Sequence, residues 1–269
     1  MNKPTIQSVT PTICELFGVT TPADCQEKAL PTVIEAVKAS MGALYLDRLL
    51  VYAPDAIGTH FLRKYPEIYQ LFHNMATVEI ELQSVFPPKT PVCFASMFSG
   101  VLPAKHGIQA YTRPVLAIDT VFDAMARQEK KCAIVAVAQS SIDLIFRNRD
   151  MEYYTEEYDP QVTIRTLDLI GRDHHDLIVA YHQEYDDTLH KTTPFSDEAI
   201  DAARRHGETF QQLLKAAAIA WKGRRWAVAV TPDHGAHIQA DGLGTHGDDI
   251  PEDMEVTHFW NCWLQGEEK

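Results

Sequence analysis

The chain has 269 residues, 45% of them hydrophobic, and a formal charge of −13. This length and composition fit one large packed α/β domain spanning 1–269 without a large inserted cap, and the charge weighs against a nucleic-acid polymer or an anionic membrane as partner, because the mean field repels phosphate. The five cysteines are widely spaced without a CxxC, and neither an apolar leader nor a run of ~20 apolar residues is present, so a soluble cytoplasmic protein with free thiols is expected.

In chain order, short β-rich apolar runs alternate with longer helical patterns. A helix is expected over Pro11 to Phe17, then strands over 49–53 and 77–82 separated by the helical pattern THFLRKYPEIYQLFHNM. A helix follows Thr90, and another lies in TVFDAMARQEK. Strands at 133–138 and 176–181 flank the helical QVTIRTLDLIG. SDEAIDAARRHGETFQQLLKAAAIAW is a long helix before a strand at 226–231, and a last strand is expected at 257–264. The alternation predicts a three-layer α/β/α sandwich around a largely parallel sheet.

Three carboxylates fall just beyond the carboxyl ends of predicted strands. Asp55 follows LLVYA, Asp186 follows DLIVAYHQ, and Asp233 follows WAVAVT. In open α/β sheets ligands bind at that edge. A single Asp after a strand is ordinarily a turn residue or helix cap; three of them, two with histidine attached, weaken that reading. Asp186 and His190 are four apart, so one helical turn or a tight loop can aim both at one ion. Asp233 and His234 are adjacent, and Pro232 and Gly235 around them permit the bend that lets both converge. His246 lies in GLGTHGDD, where glycines allow close approach to a metal. Carboxylate and imidazole ligands suit zinc first and manganese second, and a pair of divalent ions would supply the local attraction a phosphate substrate needs in so acidic a chain.

Thr90, in FPPKTPVCFASMFSG, is followed by Pro91 and a helical pattern, so it falls near a helix N-cap. Capping alone would explain it. The same position also suits a nucleophile: free N–H groups there favour a phosphoryl oxygen, and a metal on the hydroxyl would lower its pKa. Lys89 beside it is a candidate substrate contact, though a lysine in a polar loop is ordinarily just solvated.

Together, FPPKTPVCFASMFSGVLPAKHGI, EYDDTLHKTTPFS, VTPDHGAH and GTHGDDIPEDM resemble the alkaline phosphatase superfamily, in particular its type I phosphodiesterase and nucleotide pyrophosphatase branch, over roughly residues 48 to 264. The resemblance implies one metal site of Asp55, Thr90, Asp233 and His234 and a second of Asp186, His190 and His246. It implies hydrolysis of a small phosphate ester or nucleotide through a phospho-threonine at Thr90. Two in-line displacements would retain configuration at phosphorus.

Departures narrow the subclass. Sulfatases carry C-x-P-x-R or S-x-P-x-R where this chain has TPVCF, monoester-specific phosphatases use serine and a nearby arginine clamp, and cofactor-independent phosphoglycerate mutases need serine and a second large domain. Phosphonate or phosphate monoester hydrolysis is the alternative within catalysis. A metal-binding scaffold that has lost turnover is the alternative outside it. IQSVTPTICELFGVTTP resembles the block that closes many superfamily members at their carboxyl end, so 1–47 is expected to replace it; an ordinary amphipathic helix with a glycine cap explains the segment equally well. Among the remaining polar residues, GRDHHDL reads as a solvated turn, and His237 as a substitute ligand or substrate contact. His106 reads as the end of the segment after the Thr90 helix. Tyr153, Tyr154 and Tyr158 are read as packing ahead of base stacking.

Overall fold

The computed structural model describes residues 3–42 and 45–262. A 3-10 turn at Ile6–Ser8 leads into α1 (Val9–Phe17), α2 (Pro31–Met41) and β1 (Arg48–Pro54). The pattern beginning at Thr59 splits at Pro66 into α3 (Thr59–Lys64) and α4 (Pro66–His73), since proline cannot donate an interior helical hydrogen bond but is well placed at a helix start. β2 (Val78–Gln83), α5 (Thr90–Ser99), α6 (Pro103–His106), α7 (Val121–Ala126), β3 (Cys132–Val137), α8 (Ser141–Ile145) and β4 (Glu152–Glu156) follow. The second half comprises α9 (Asp159–Arg172), β5 (Leu177–His182), α10 (Glu184–Leu189), α11 (Asp197–Ala220) and β6 (Trp226–Val230). It ends with the short β7 (His237–Ile238) and β8 (Gly244–Thr245), then α12 (Pro251–Met254) and β9 (Glu255–Cys262).

Seven strands form one sheet in the order β2-β9-β6-β1-β5-β3-β4. The pairings β6–β1, β1–β5, β5–β3 and β3–β4 are parallel, and β9 runs antiparallel between β6 and β2. Every residue of β3, β5 and β6 is buried, because parallel strands covered by helices on both faces have no solvent side. Alternation sorts their side chains into two cores. Leu49, Val51 and Ala53 of β1 face the layer containing α1, α2, α5 and α7, whereas Leu50 and Tyr52 face α4, α9 and α11. These are the three expected layers around a largely parallel sheet.

Several elements lie outside the expectations, β4 and α2 among them. β4 is an edge strand, and Tyr153 within it is held by structure: its hydroxyl donates to the Phe146 carbonyl at 2.8 Å. α2 puts Val33, Ile34 and Val37 into the first core. The amino-terminal segment packs in that core too, where Ile6, Val9 and Ile13 join Trp260 and Cys262 of β9, and Lys3 Nζ reaches Glu255 at 2.7 Å. Of the strand expected at 257–264, residues 263 and 264 lie outside the described residues, as do 1–2 and 43–44 of the expected amino-terminal segment. All five cysteines are free, and no helix among the described residues is long and apolar enough to cross a membrane.

Candidate active site at the carboxyl edge of the sheet

β1 and β6 are neighbours, and the loops leaving their carboxyl ends are pressed together. A Cβ on Gly58 would lie 2.6 Å from Gly235 Cα, and one on Gly235 would lie 2.1 Å from the Glu252 carbonyl oxygen, so neither position accepts a side chain. This backbone-on-backbone contact brings Asp55 from one loop to Asp233 and His234 from the other. All three are buried. His234 Nε2 lies 3.4 Å from Asp55 Oδ1 and 3.3 Å from Asp233 Oδ2.

Thr90 enters as the first residue of α5, with Lys89 in the capping position, so the threonine is not itself the cap. Its Oγ1 donates to Asp55 Oδ2 at 3.3 Å and lies 3.5 Å from His234 Nε2. The first turn of α5 is less free than a generic helix start. Pro91 has no amide proton, and the Val92 and Cys93 amides both reach the Lys89 carbonyl at 2.9 Å. Thr90's own amide has no backbone partner among the described residues. The oxyanion-binding potential of this helix start is therefore concentrated on the nucleophile candidate.

The second group forms across the chain's other loops. Asp186 is on α10, His190 terminates that helix, and His246 follows β8. His190 Nε2 and His246 Nε2 lie 3.4 and 3.5 Å from the same atom, Asp186 Oδ1. Gly244 is required here, because its Cβ would be 2.4 Å from the Leu189 carbonyl oxygen. The glycine-rich loop thus achieves close approach to α10. Lys89 Nζ lies over the same loop, 2.9 Å from where a Cβ on Gly247 would be. The two groups adjoin, since the rings of His234 and His246 stack at 3.9 Å with 19° between planes.

The donor atoms fit divalent ions by a structural criterion. Asp55 Oδ1, Asp233 Oδ2 and Asp186 Oδ1 are buried atoms without a hydrogen-bond partner, a costly condition unless a cation meets them. Each histidine directs Nδ1 to a backbone carbonyl: His234 to Gly235 at 3.0 Å, His246 to Pro88 at 2.7 Å, and His190 to Gly244 at 3.1 Å. A neutral ring donating from Nδ1 leaves the Nε2 lone pair for a metal. The separations of 3.3 to 3.5 Å among these Nε2 and carboxylate atoms match the edge, about 3.3 Å, of a tetrahedron with zinc-length bonds. Asp55, Asp233 and His234 form one group able to hold an ion, and Asp186, His190 and His246 another.

Electrostatics agree. Burial, reinforced by the charges of Asp233 and Asp186, drives the Asp55 carboxyl well above the ordinary carboxylate range, and burial raises Asp233 to about 8. Burial holds His234 and His246 neutral by lowering both. Burial also pushes Asp186 upward, but the adjacent His190 and His246 more than offset it and leave it low. His190 rises because of Asp186. Without a cation, burial disfavours the charged forms of Asp55 and Asp233.

Several supporting residues were not singled out in the sequence. Tyr181 donates its hydroxyl to Asp55 Oδ2, and Ser84 Oγ donates to the Asp233 carbonyl at 2.6 Å. Asp253, fully buried, accepts from the Gly247 and Asp248 amides at 2.8 and 3.0 Å and engages His237 Nδ1 at 2.8 Å. His237 is thereby paired with Asp253 instead of joining either ligand group. His106 is likewise occupied, at 2.9 Å from Ser96 Oγ. Asp173, from the GRDHHDL turn, pairs with Arg48 and Arg224.

None of the curated proteins compared with the chain matches it. Among solved structures, an inactive form of murine ectonucleotide pyrophosphatase/phosphodiesterase 5 in complex with AMP is similar with a TM-score of 0.58 and 17% identity, covering 72% of this chain and 58% of that one. The human ectonucleotide pyrophosphatase/phosphodiesterase 5 structure gives 0.55 and 17%, with the same coverage of 72% and 58%. Phosphonoacetate hydrolase from Sinorhizobium meliloti in complex with phosphonoformate gives 0.55 and 17%, covering 74% of this chain and 59% of that one. The chain thus spans 58 to 59% of the length of these alkaline phosphatase-like structures, and at such identity the likeness is one of fold. The family of type I phosphodiesterases and nucleotide pyrophosphatases matches residues 49–255, a stretch that contains every candidate ligand and Thr90. The chain belongs to that family.

Proposed function

We propose that the chain is a phosphoric ester hydrolase working with two divalent ions, zinc in the first instance and manganese in the second, on a small phosphodiester or nucleotide-type substrate. The observation that carries this reading is Thr90 Oγ1 lying within 3.5 Å of both Asp55 and His234, beside buried carboxylate oxygens that no protein group satisfies. Asp55, Thr90, Asp233 and His234 would hold one ion, and Asp186, His190 and His246 the other. Such ions supply positive charge against a transferring phosphoryl group and make a nearby hydroxyl more acidic.

The chain's own groups then have distinct tasks. Thr90 donates its proton on the Asp55 side, which leaves lone pairs of Oγ1 for phosphorus. Attack forms the Oγ1–phosphorus bond, the ester oxygen departs with its bonding pair, and a phospho-threonine remains. Water then displaces Thr90 from phosphorus and restores its hydroxyl. The unpartnered Thr90 amide and Lys89 Nζ would bind non-bridging oxygens. A cytoplasmic location accords with five free cysteines. The packing of residues 3–17 beside Trp260 and Cys262 supports the amino-terminal segment as a replacement for the closing block. A variant lacking residues 1–47 that melts like the full chain would contradict that.

Hydrolysis of bis-p-nitrophenyl phosphate, p-nitrophenyl phosphate and p-nitrophenyl phenylphosphonate tests the function, with EDTA and Thr90→Ala as controls. Fastest turnover of the diester, lost in both controls, is expected. A clear preference for the monoester or a phosphonate would move the substrate class. Absence of turnover with two ions bound would establish the scaffold reading.

A further inference from the structure

A third group of metal-ligand residue types lies on the other face of the sheet. Asp159 begins α9, His182 ends β5, His206 is on α11, and all three are buried. Proximity alone would make this a third metal site, and access is no obstacle, since the group borders a cavity of about 370 Å³. Its hydrogen bonding gives it a different role. Asp159 Oδ1 accepts from the Gln183 amide at 3.0 Å, and Oδ2 accepts from the Glu184 amide at 2.9 Å. The Tyr185 amide reaches His206 Nε2 at 3.3 Å.

An amide can only donate, so His206 Nε2 must accept and the ring's proton sits on Nδ1. Nδ1–H then donates to Tyr52 Oη at 2.9 Å, and Tyr52 passes its own hydrogen to His182 Nδ1 at 3.2 Å. His182 Nε2–H faces Thr163 Oγ1 at 3.4 Å, and Thr163 donates to the Asp159 carbonyl at 3.1 Å. The first link fixes the His206 tautomer, and the later directions are those that give the hydroxyl hydrogens of Tyr52 and Thr163 an acceptor within the group. No side-chain atom of Asp159, His182, His206 or Tyr52 is a buried atom without a partner, in contrast to the orphaned oxygens of the other two groups.

The three amides held in this way belong to the start of α10, a six-residue helix that carries Asp186 and ends at His190 and has no capping side chain of its own. So short a helix does not persist by propensity, and its first-turn donors need partners. We propose that Asp159 and His206 are positioning residues for the second ligand group, fixing the first turn of α10 so that Asp186 and His190 converge with His246. The proposal rests on the two-ion reading above.

Zinc per chain, measured by elemental analysis at buffered free zinc, tests it in the full-length protein. Wild type is expected to hold two ions. Asp159→Ala and His206→Ala should retain one, with the second recovered only at about tenfold higher free zinc, the usual scale for losing support behind a ligand. Asp159→Asn, which keeps one acceptor oxygen, should recover part of the difference, and the zinc requirement for turnover should move with it. Should the alanine variants fail to fold, hydrogen exchange in metal-free wild type decides: the Gln183, Glu184 and Tyr185 amides should exchange slowly, because their acceptors are side chains that stay in place without the ion. Variants that bind the second zinc as tightly as wild type, or rapid exchange of those amides, would overturn the proposal. A third zinc in wild type that disappears in His206→Ala would make the group a metal site. No zinc in wild type at all would instead strike the two-ion reading.

Discussion

The Asp55, Asp233 and His234 group and the Asp159, His182 and His206 group use the same residue types at similar distances and are equally buried. They differ in what their lone pairs meet. In the first, two carboxylate oxygens face nothing, and Nε2 of the histidine points among them. In the other, carboxylate and imidazole atoms are consumed by three amides and a tyrosine. Closeness of acids and histidines therefore identifies polar clusters, and buried carboxylate oxygens without partners within such a cluster distinguish the ones able to hold a cation. Nearly identical composition yields a candidate ion site at one edge of the sheet and the proposed helix support on its far face.

The largest effect on this contrast should come from Thr90→Ala. Removing the nucleophile, one of the four groups proposed around the first ion, should lower kcat on the order of 10⁴-fold or more. Both ions should stay bound, because the carboxylates and imidazoles remain. An alanine variant within tenfold of wild-type kcat would show that another group attacks phosphorus. Chelation is next in size. An ion present at about 100 times its Kd stabilises the folded chain by about 2.7 kcal/mol, so EDTA should both stop turnover and lower the thermal midpoint. Loss of activity with an unchanged midpoint would mean that the ions are not held by the folded site.

Asp233→Asn separates the two groups by sign. Burial raises the Asp233 carboxyl to about 8 in the metal-free fold, against an ordinary value of 3.8. The folded state therefore binds its proton more tightly than the unfolded chain between those values, and metal-free stability falls as pH rises through that window. Above it, Asp233→Asn should stabilise the metal-free protein by more than about 1 kcal/mol in urea unfolding while preventing zinc binding. Asp159→Ala, which strips partners from two amides, should destabilise the metal-free protein. If Asp233→Asn also destabilised it, the carboxylate would have a protein partner beyond the Ala56 amide, from which Oδ1 accepts at 3.4 Å, and the contrast would fail.

Much of the candidate ion site was legible in the sequence because its candidate ligands follow apolar strands. LLVYA, DLIVAYHQ and WAVAVT announce buried parallel strands, and the acids after them fall at the ligand-binding edge. β4 was not legible, because EYYTE lies at the sheet edge with charged ends and lacks the apolar run of a central strand. The supports were hidden for another reason. His234, His246 and His190 are oriented by backbone carbonyls, which every residue type possesses. Asp159 precedes Pro160 and reads as the start of a helix, while His206 sits within a long helical pattern. Only the crossing of α9, β5 and α11 gives them a common purpose. Asp253 carried a faint signal, an acid a few residues beyond the GTHG loop, but nothing local says which amides it holds.

The far-face group makes the smallest and most specific prediction. Burial lowers His206 to about 3 and His182 well below its ordinary value, so both stay neutral in the fold while an unfolded histidine protonates near 6.5. A depressed folded pKa contributes stability that is complete above pH 6.5 and lost as pH falls toward the folded value. Between pH 6 and 4, the His206 ring should contribute an increment of about 1.4 kcal/mol per pH unit to the loss of stability of metal-free protein, because the unfolded chain takes up a proton that the fold refuses. His206→Gln should remove one increment of that slope, whatever it does to stability at pH 8, since glutamine does not titrate. Urea midpoints measured at half-unit pH intervals read the difference directly. Parallel profiles for the two proteins would mean that His206 becomes charged inside the fold. The amide of Tyr185 would then have lost its acceptor, and the directed chain through Tyr52 could not run as the distances imply.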